Sequence, residues 1–236
     1  MLNHTKKIKE IYEDIQKKIF YMIPEKWDRL YLYSSIIDMP KNMKSGELFF
    51  YYIPKGMLKK KPVNVYEIPN KFNLDENEYM KLVELLYSKI KELREAFIKS
   101  GQEPWSNVTI IIRNSRFRIE YDYENLKNSD FTSYERHIIW RYKYLEIGPE
   151  QVNKKDKEIL KRYTLGAKKL NRREVYEFGI YIKDVKNIVD YNNTEEYDNE
   201  IPNSEIETDK KEEKNISKNQ ILLSQEEIKK MKKYKT

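Results

Sequence analysis

The run from Glu103 to Tyr123, EPWSNVTIIIRNSRFRIEYDY, leaves the chain few conformational options. Val108 to Arg113 is β-branched and apolar enough to be a buried strand. Asn114-Ser115 supplies a two-residue turn in which Asn tolerates positive φ. From Arg116 the side chains alternate, with Phe117, Ile119, Tyr121 and Tyr123 on one face and Arg116, Arg118, Glu120 and Asp122 on the other. A period of two places one face on a core and leaves the mixed-charge face in water or against a partner. With a helical pattern before it and another after it, this hairpin is expected at the centre of a sheet.

The flanking segments fit that frame. Ile8, Ile11, Tyr12, Ile15, Ile19, Met22 and Ile23 recur at helical spacing from about Lys6, with Thr5 as a cap and Pro24 as a stop. Trp27 to Asp38 and Glu47 to Ile53 read as two antiparallel strands joined by a polar connection, Pro40 to Gly46. Val63 to Ile68, between Pro62 and Pro69, is expected to be an edge strand. Asp75 to Lys99 is the longest helix, opened by Asp75 with Glu78 and closed by Gly101. A helix over Thr132 to Tyr144 follows the hairpin, and Gly148-Pro149 closes the body. The fold class is α+β in the order α-β-β-(β)-α-β-β-α, an antiparallel sheet of about four to five strands packed by helices.

Beyond residue 150 the character changes. A body over 5–150 is expected to carry a partly ordered satellite over 151–189, with a short basic helix from Asn153 and a strand-like run within Val175 to Ile188. Residues 190–236 are an acidic linker and a lysine-rich tail, expected to be disordered or to hold a short helix. Only 39% of the chain is hydrophobic against 36% charged, which already requires some of it to lie outside a core. The chain has no cysteine, no apolar run near the roughly 20 residues that span a bilayer, and no apolar signal core at its start. A soluble protein of the reducing cytoplasm, away from membranes, is expected. The net charge of +7 would suit nucleic acid, but the lysines are scattered among nearly as many acids, which argues against it.

The search for chemistry returns little. There are two histidines, His4 and His137, and no paired spacing for zinc. The six glycines are isolated, so no phosphate-cradling loop can form. Glu120 and Asp122 share a strand face at roughly 7 Å, the spacing of a carboxylate pair, but nothing flanking them supports catalysis. No catalytic residue, metal site or cofactor site is assigned, and no small-molecule substrate. The 20 tyrosines and three tryptophans instead favour a binding module, since such rings bury large area at low entropic cost.

A family resemblance rests on an ordered set of blocks. MIPEKWDRLYLY (Met22 to Tyr33), GELFFYY (Gly46 to Tyr52), IPNKFNL (Ile68 to Leu74), EPWS (Glu103 to Ser106) and FRIEYDY (Phe117 to Tyr123) together resemble the YezG-like immunity proteins over residues 5 to 150. The resemblance implies a cytoplasmic antitoxin that binds the nuclease domain of a cognate toxin exported by the type VII pathway. It implies inhibition without turnover, substrate or cofactor.

Contact residues are expected on the hairpin and the helix after it: Trp105, Glu120, Tyr121, Asp122, Tyr123 and Glu124, with Arg136, Trp140 and Tyr144. Acid at the hairpin end, or Asp75, Glu76 and Glu78 at a helix start, would complement a basic cleft despite the positive total. Reversing Asp122 and Glu124 to lysine is then expected to weaken binding with little loss of stability. Two other classes stay open: an interaction module without a toxin, and a nucleic-acid binder using Lys59 to Lys61 or Lys168, Lys169, Arg172 and Arg173.

Overall fold

The structure, a computed structural model, describes residues 6–56, 61–166 and 172–180. The expectations placed on His4, Thr5, Lys59, Lys60, Lys168, Lys169 and everything after Ile180 lie outside the described residues. In chain order the elements are α1 (Lys6–Met22), β1 (Trp27–Ser35), β2 (Ile37–Asp38), β3 (Lys44–Ser45), β4 (Leu48–Pro54), β5 (Val63–Asn64), α2 (Ile68–Phe72), α3 (Glu76–Lys99), β6 (Asn107–Arg113), β7 (Arg116–Asp122), α4 (Ser133–Tyr144), α5 (Lys154–Gly166) and β8 (Arg173–Gly179).

Six strands form one antiparallel sheet in the order β5-β4-β1-β6-β7-β8, and β2 with β3 makes a separate ribbon. The hairpin β6–β7 sits inside this sheet, and its turn has Asn114 at φ 50° and Ser115 at φ 58°. Both residues are left-handed, the geometry whose twist matches the flanking strands. The helix ends are equally local. Asp75 caps α3 by accepting from the Glu78 amide at 2.8 Å, and Gly101 leaves it at φ 71°. Thr132 and Glu135 close a reciprocal capping box on α4.

Helices cover both faces. On the inner face α1 and α3 pack Ile8, Tyr12, Ile15, Leu86, Ile90 and Phe97 against Leu30, Leu32, Phe50, Ile110, Phe117 and Ile119. On the outer face α4 lays Trp140 over Tyr31, Tyr33, Phe49 and Tyr51. Ile159 and Leu160 of α5 then pack on Ile138 and Ile139, on the far side of α4. Each alternate set of the central strands is therefore buried, which is why β1 is closed on both sides from Leu30 to Ser35.

Two expectations change in detail. The edge strand expected over Val63 to Ile68 stops at Asn64 and becomes a 3-10 turn and then α2. The Asn64 side chain accepts from the Tyr66 amide at 3.2 Å, and Pro69 sits in the first turn of α2, where its missing N–H costs nothing. The sheet also gains a sixth strand, β8, which starts at Arg173, two residues before the strand-like run expected from Val175, and takes in its beginning. One glycine is a steric requirement: a Cβ on Gly46 would fall 1.9 Å from the Ser35 carbonyl oxygen. The chain can enter β4 against β1 only without a side chain there.

Candidate partner-binding surface

The outer sheet face is built in cross-strand rows set by register. Beginning at the hairpin turn, the first row is Ile53, Arg29, Arg113, Arg116 and Gly179, and the second is Asn64, Tyr51, Tyr31, Ile111, Arg118 and Glu177. The third is Phe49, Tyr33, Thr109, Glu120 and Val175, and the fourth joins Ser35, Asn107, Asp122 and Arg173. α4 crosses the second and third rows, and Arg136 at its start reaches Glu47 beside the fourth. Trp140 Nε1 donates to Thr109 Oγ1 at 3.2 Å, and the Tyr144 hydroxyl donates to Glu120 Oε2 at 2.7 Å.

The acids of the hairpin end are thereby already engaged. Arg118 Nε donates to Glu120 Oε1 at 2.9 Å, and only 4% of the Glu120 side chain is exposed. Arg173, arriving on β8, forks onto Asp122 at 2.7 and 3.0 Å. Asn107 Nδ2 donates to Glu124 Oε1 at 2.6 Å, and the Glu124 amide donates to Ser106 Oγ at 2.9 Å. Burial, and next the neighbouring Asp122 carboxylate, raise the Glu124 carboxyl above its ordinary range. Burial lowers Lys143, with Arg173 adding to the effect, so base and acid are packed closely here.

The start of α4 is held by a second buried pair. Arg136 bonds both oxygens of Glu47, which also accepts from Ser35 Oγ at 3.2 Å, and Arg136 Nη1 donates to the Phe131 carbonyl at 2.7 Å. The next residue, His137, stacks on Phe49 with ring centroids 4.2 Å apart, and its Nε2 lies 2.9 Å from the Tyr51 hydroxyl. Burial, aided by Arg141, lowers the His137 pKa to about 3, so the ring is a neutral packing element.

The residues expected to make contacts are thus brought together, but at different depths. Trp105 and Tyr121 are fully buried on the inner face, where Trp105 meets Phe97 edge-on and lies 5.5 Å from Tyr121. Glu120, Asp122 and Trp140 are buried beneath or within α4, and Glu124, Arg136 and Tyr144 are half-buried at its rim, while Tyr123 is half-buried on the inner face beside Arg172 and Glu174. Sequence reasoning did not single out Arg173, Glu47 or Lys143 for this surface. The alternation of β7 had placed Arg118 beside Glu120; the remaining partners depend on which strand and helix land there. Among the described residues no group of His, Cys, Asp and Glu could hold a metal ion, and no helix is long and apolar enough to cross a membrane.

Together these features define an α+β protein whose antiparallel sheet is closed by helices on both faces, with a densely ion-paired outer surface. The chain belongs to the YezG-like immunity protein family, whose model matches residues 8–161. It is 33% identical to the immunity protein YezG of Bacillus spizizenii over 153 residues, which is 64% of this chain and 91% of that protein. It is 28% identical to the immunity protein YezG of Bacillus subtilis over 157 residues, 66% of this chain and 98% of that protein. It is also 30% identical to the type VII secretion system protein EsaG of Staphylococcus aureus over 158 residues, 65% and 92% of the two chains. The strand β8 lies beyond the matched residues.

Proposed function

We propose that this chain is an antitoxin that binds and neutralises the nuclease domain of a cognate toxin secreted by the type VII pathway, in the cytoplasm of the cell that makes both. The observation that supports this is the family match across residues 8–161, which takes in both sheet faces and α4. EsaG, named for type VII secretion, adds the export route to the proposal. Inhibition here is occlusion by binding, with no turnover. The contacts proposed are Glu124, Arg136 and Tyr144 at the rim of α4 and Tyr123 at the hairpin end, held in place by Trp105, Glu120, Tyr121, Asp122 and Trp140 behind them.

The test is co-expression of the full chain with the nuclease-like toxin domain encoded beside it. Cell survival together with a complex that co-purifies is the expected result. A toxic neighbour that is neither bound nor neutralised would overturn the proposal.

A further inference from the structure

We propose that the end of the outer sheet face left open by α4 is an arginine surface that docks carboxylates of the toxin domain, an inference that rests on the immunity reading above. Arg29, Arg113 and Arg116 stand side by side on three adjacent strands, β1, β6 and β7, and Arg118 stands in the next row of β7. Their Cβ atoms are therefore about 5 Å apart between neighbours. Like charges placed directly opposite destabilise a sheet, so the sheet alone gives no reason for this row.

The chemistry of the row is selective. Only ten of the 46 basic residues of the chain are arginine, yet this patch holds four arginines and no lysine. Arginine offers a planar fork that takes a carboxylate in two parallel bonds, which lysine cannot do. Among the described residues neither Arg29 nor Arg113 makes an ion pair, and Arg116 reaches only Glu177, with 72% of its own side chain exposed. The acids of the same hairpin are occupied by Arg118, Arg173 and Tyr144. The hairpin therefore offers base to a partner at its turn end, where the sequence had suggested acid at the other end.

Carboxylate is favoured over phosphate by the surroundings. Glu177 and Glu120 flank the patch and would repel a continuous phosphate track. Ile53, at the end of the row, is buried with Leu145, and the half-buried Ile111 and Ile147 pack against them, so what the patch offers a partner is the guanidinium forks themselves. Arginine is enriched at protein interfaces.

The test uses the full chain and the purified toxin nuclease domain. Arg113→Glu with Arg116→Glu reverses two exposed members of the row; Lys157→Glu with Lys161→Glu makes the same change in net charge on exposed positions of α5. The arginine variant should melt like the parent, bind about tenfold or more weakly, and lose most of the salt dependence of association. The lysine variant should bind within about twofold of the parent. Equal binding by the arginine variant and the parent overturns the docking surface while leaving the immunity reading intact. A parent chain that does not bind the nuclease domain removes both. Binding of a labelled DNA duplex by the parent that the arginine reversal abolishes would make the row a phosphate surface and overturn the proposal.

Discussion

Replacing Arg136 by Met measures how firmly α4 is fixed to the sheet. The Arg136 side chain is 15% exposed and that of its partner Glu47 only 7%, so both are largely out of water. Without Arg136, Glu47 keeps the Ser35 hydroxyl as its side-chain donor, and the Phe131 carbonyl loses the bond from Arg136 Nη1. A buried carboxylate stripped of its ion partner costs about 3–5 kcal/mol. For a body of this size each kcal/mol moves Tm by about 2–4 °C, so the variant should melt roughly 6–20 °C lower. Replacing Glu47 by Leu as well removes the orphaned charge, and the double variant should recover to within about 2 kcal/mol of the parent. Urea denaturation followed by circular dichroism on the parent, Arg136→Met, Glu47→Leu and the double variant yields the coupling. A loss below about 1 kcal/mol for Arg136→Met, or losses that simply add in the double variant, would refute the reasoning.

Acid should weaken the fold through His137. Its folded pKa of about 3 lies below the ordinary value near 6.5, so between these limits the unfolded chain takes up a proton that the folded chain refuses. Stability therefore falls as pH drops through that window, by about 2 kcal/mol from pH 7 to pH 5, and urea melts of His137→Gln should lack that component. The double reversal Asp122→Lys with Glu124→Lys should now lower Tm as well as binding, because it sets a lysine against the Arg173 fork. Adding Arg173→Glu should restore part of the stability, and a double reversal that melts like the parent would show that the Asp122–Arg173 pair contributes nothing.

What could be read in the sequence is what is decided locally. The turn at Asn114-Ser115, the alternation of β7, the stripe of α1 and the Asp75 cap each follow from residues within a few positions of one another. Pro69 carried an ambiguous signal, since proline both limits a strand and opens a helix, and the buried Val65 and Ile68 suit either outcome. The surface was harder. Glu120 and Asp122 sit on the face that alternation marks as exposed, and they are covered because α4 crosses it and β8 arrives about fifty residues later. No local pattern reports that Arg173 will stand opposite Asp122. His137 reads as one more polar residue of a basic helix, and only the placement of Phe49 and Tyr51 opposite makes it a core ring.

The late arrival of β8 sets an order of events as the chain emerges from the ribosome. The other five strands of its sheet and the helices α1 to α5 precede it, so the matched body can close while the last strand is still being made. Its pairing with β7 spans α4 and α5, a long loop that must be closed before any bond is gained. Until then the edge of β7 is bare, and Asp122 waits without its fork. In native-state hydrogen exchange the β7–β8 amides should then open at lower free energy than those between β1 and β6, making the sixth strand a latch that closes last and lifts first.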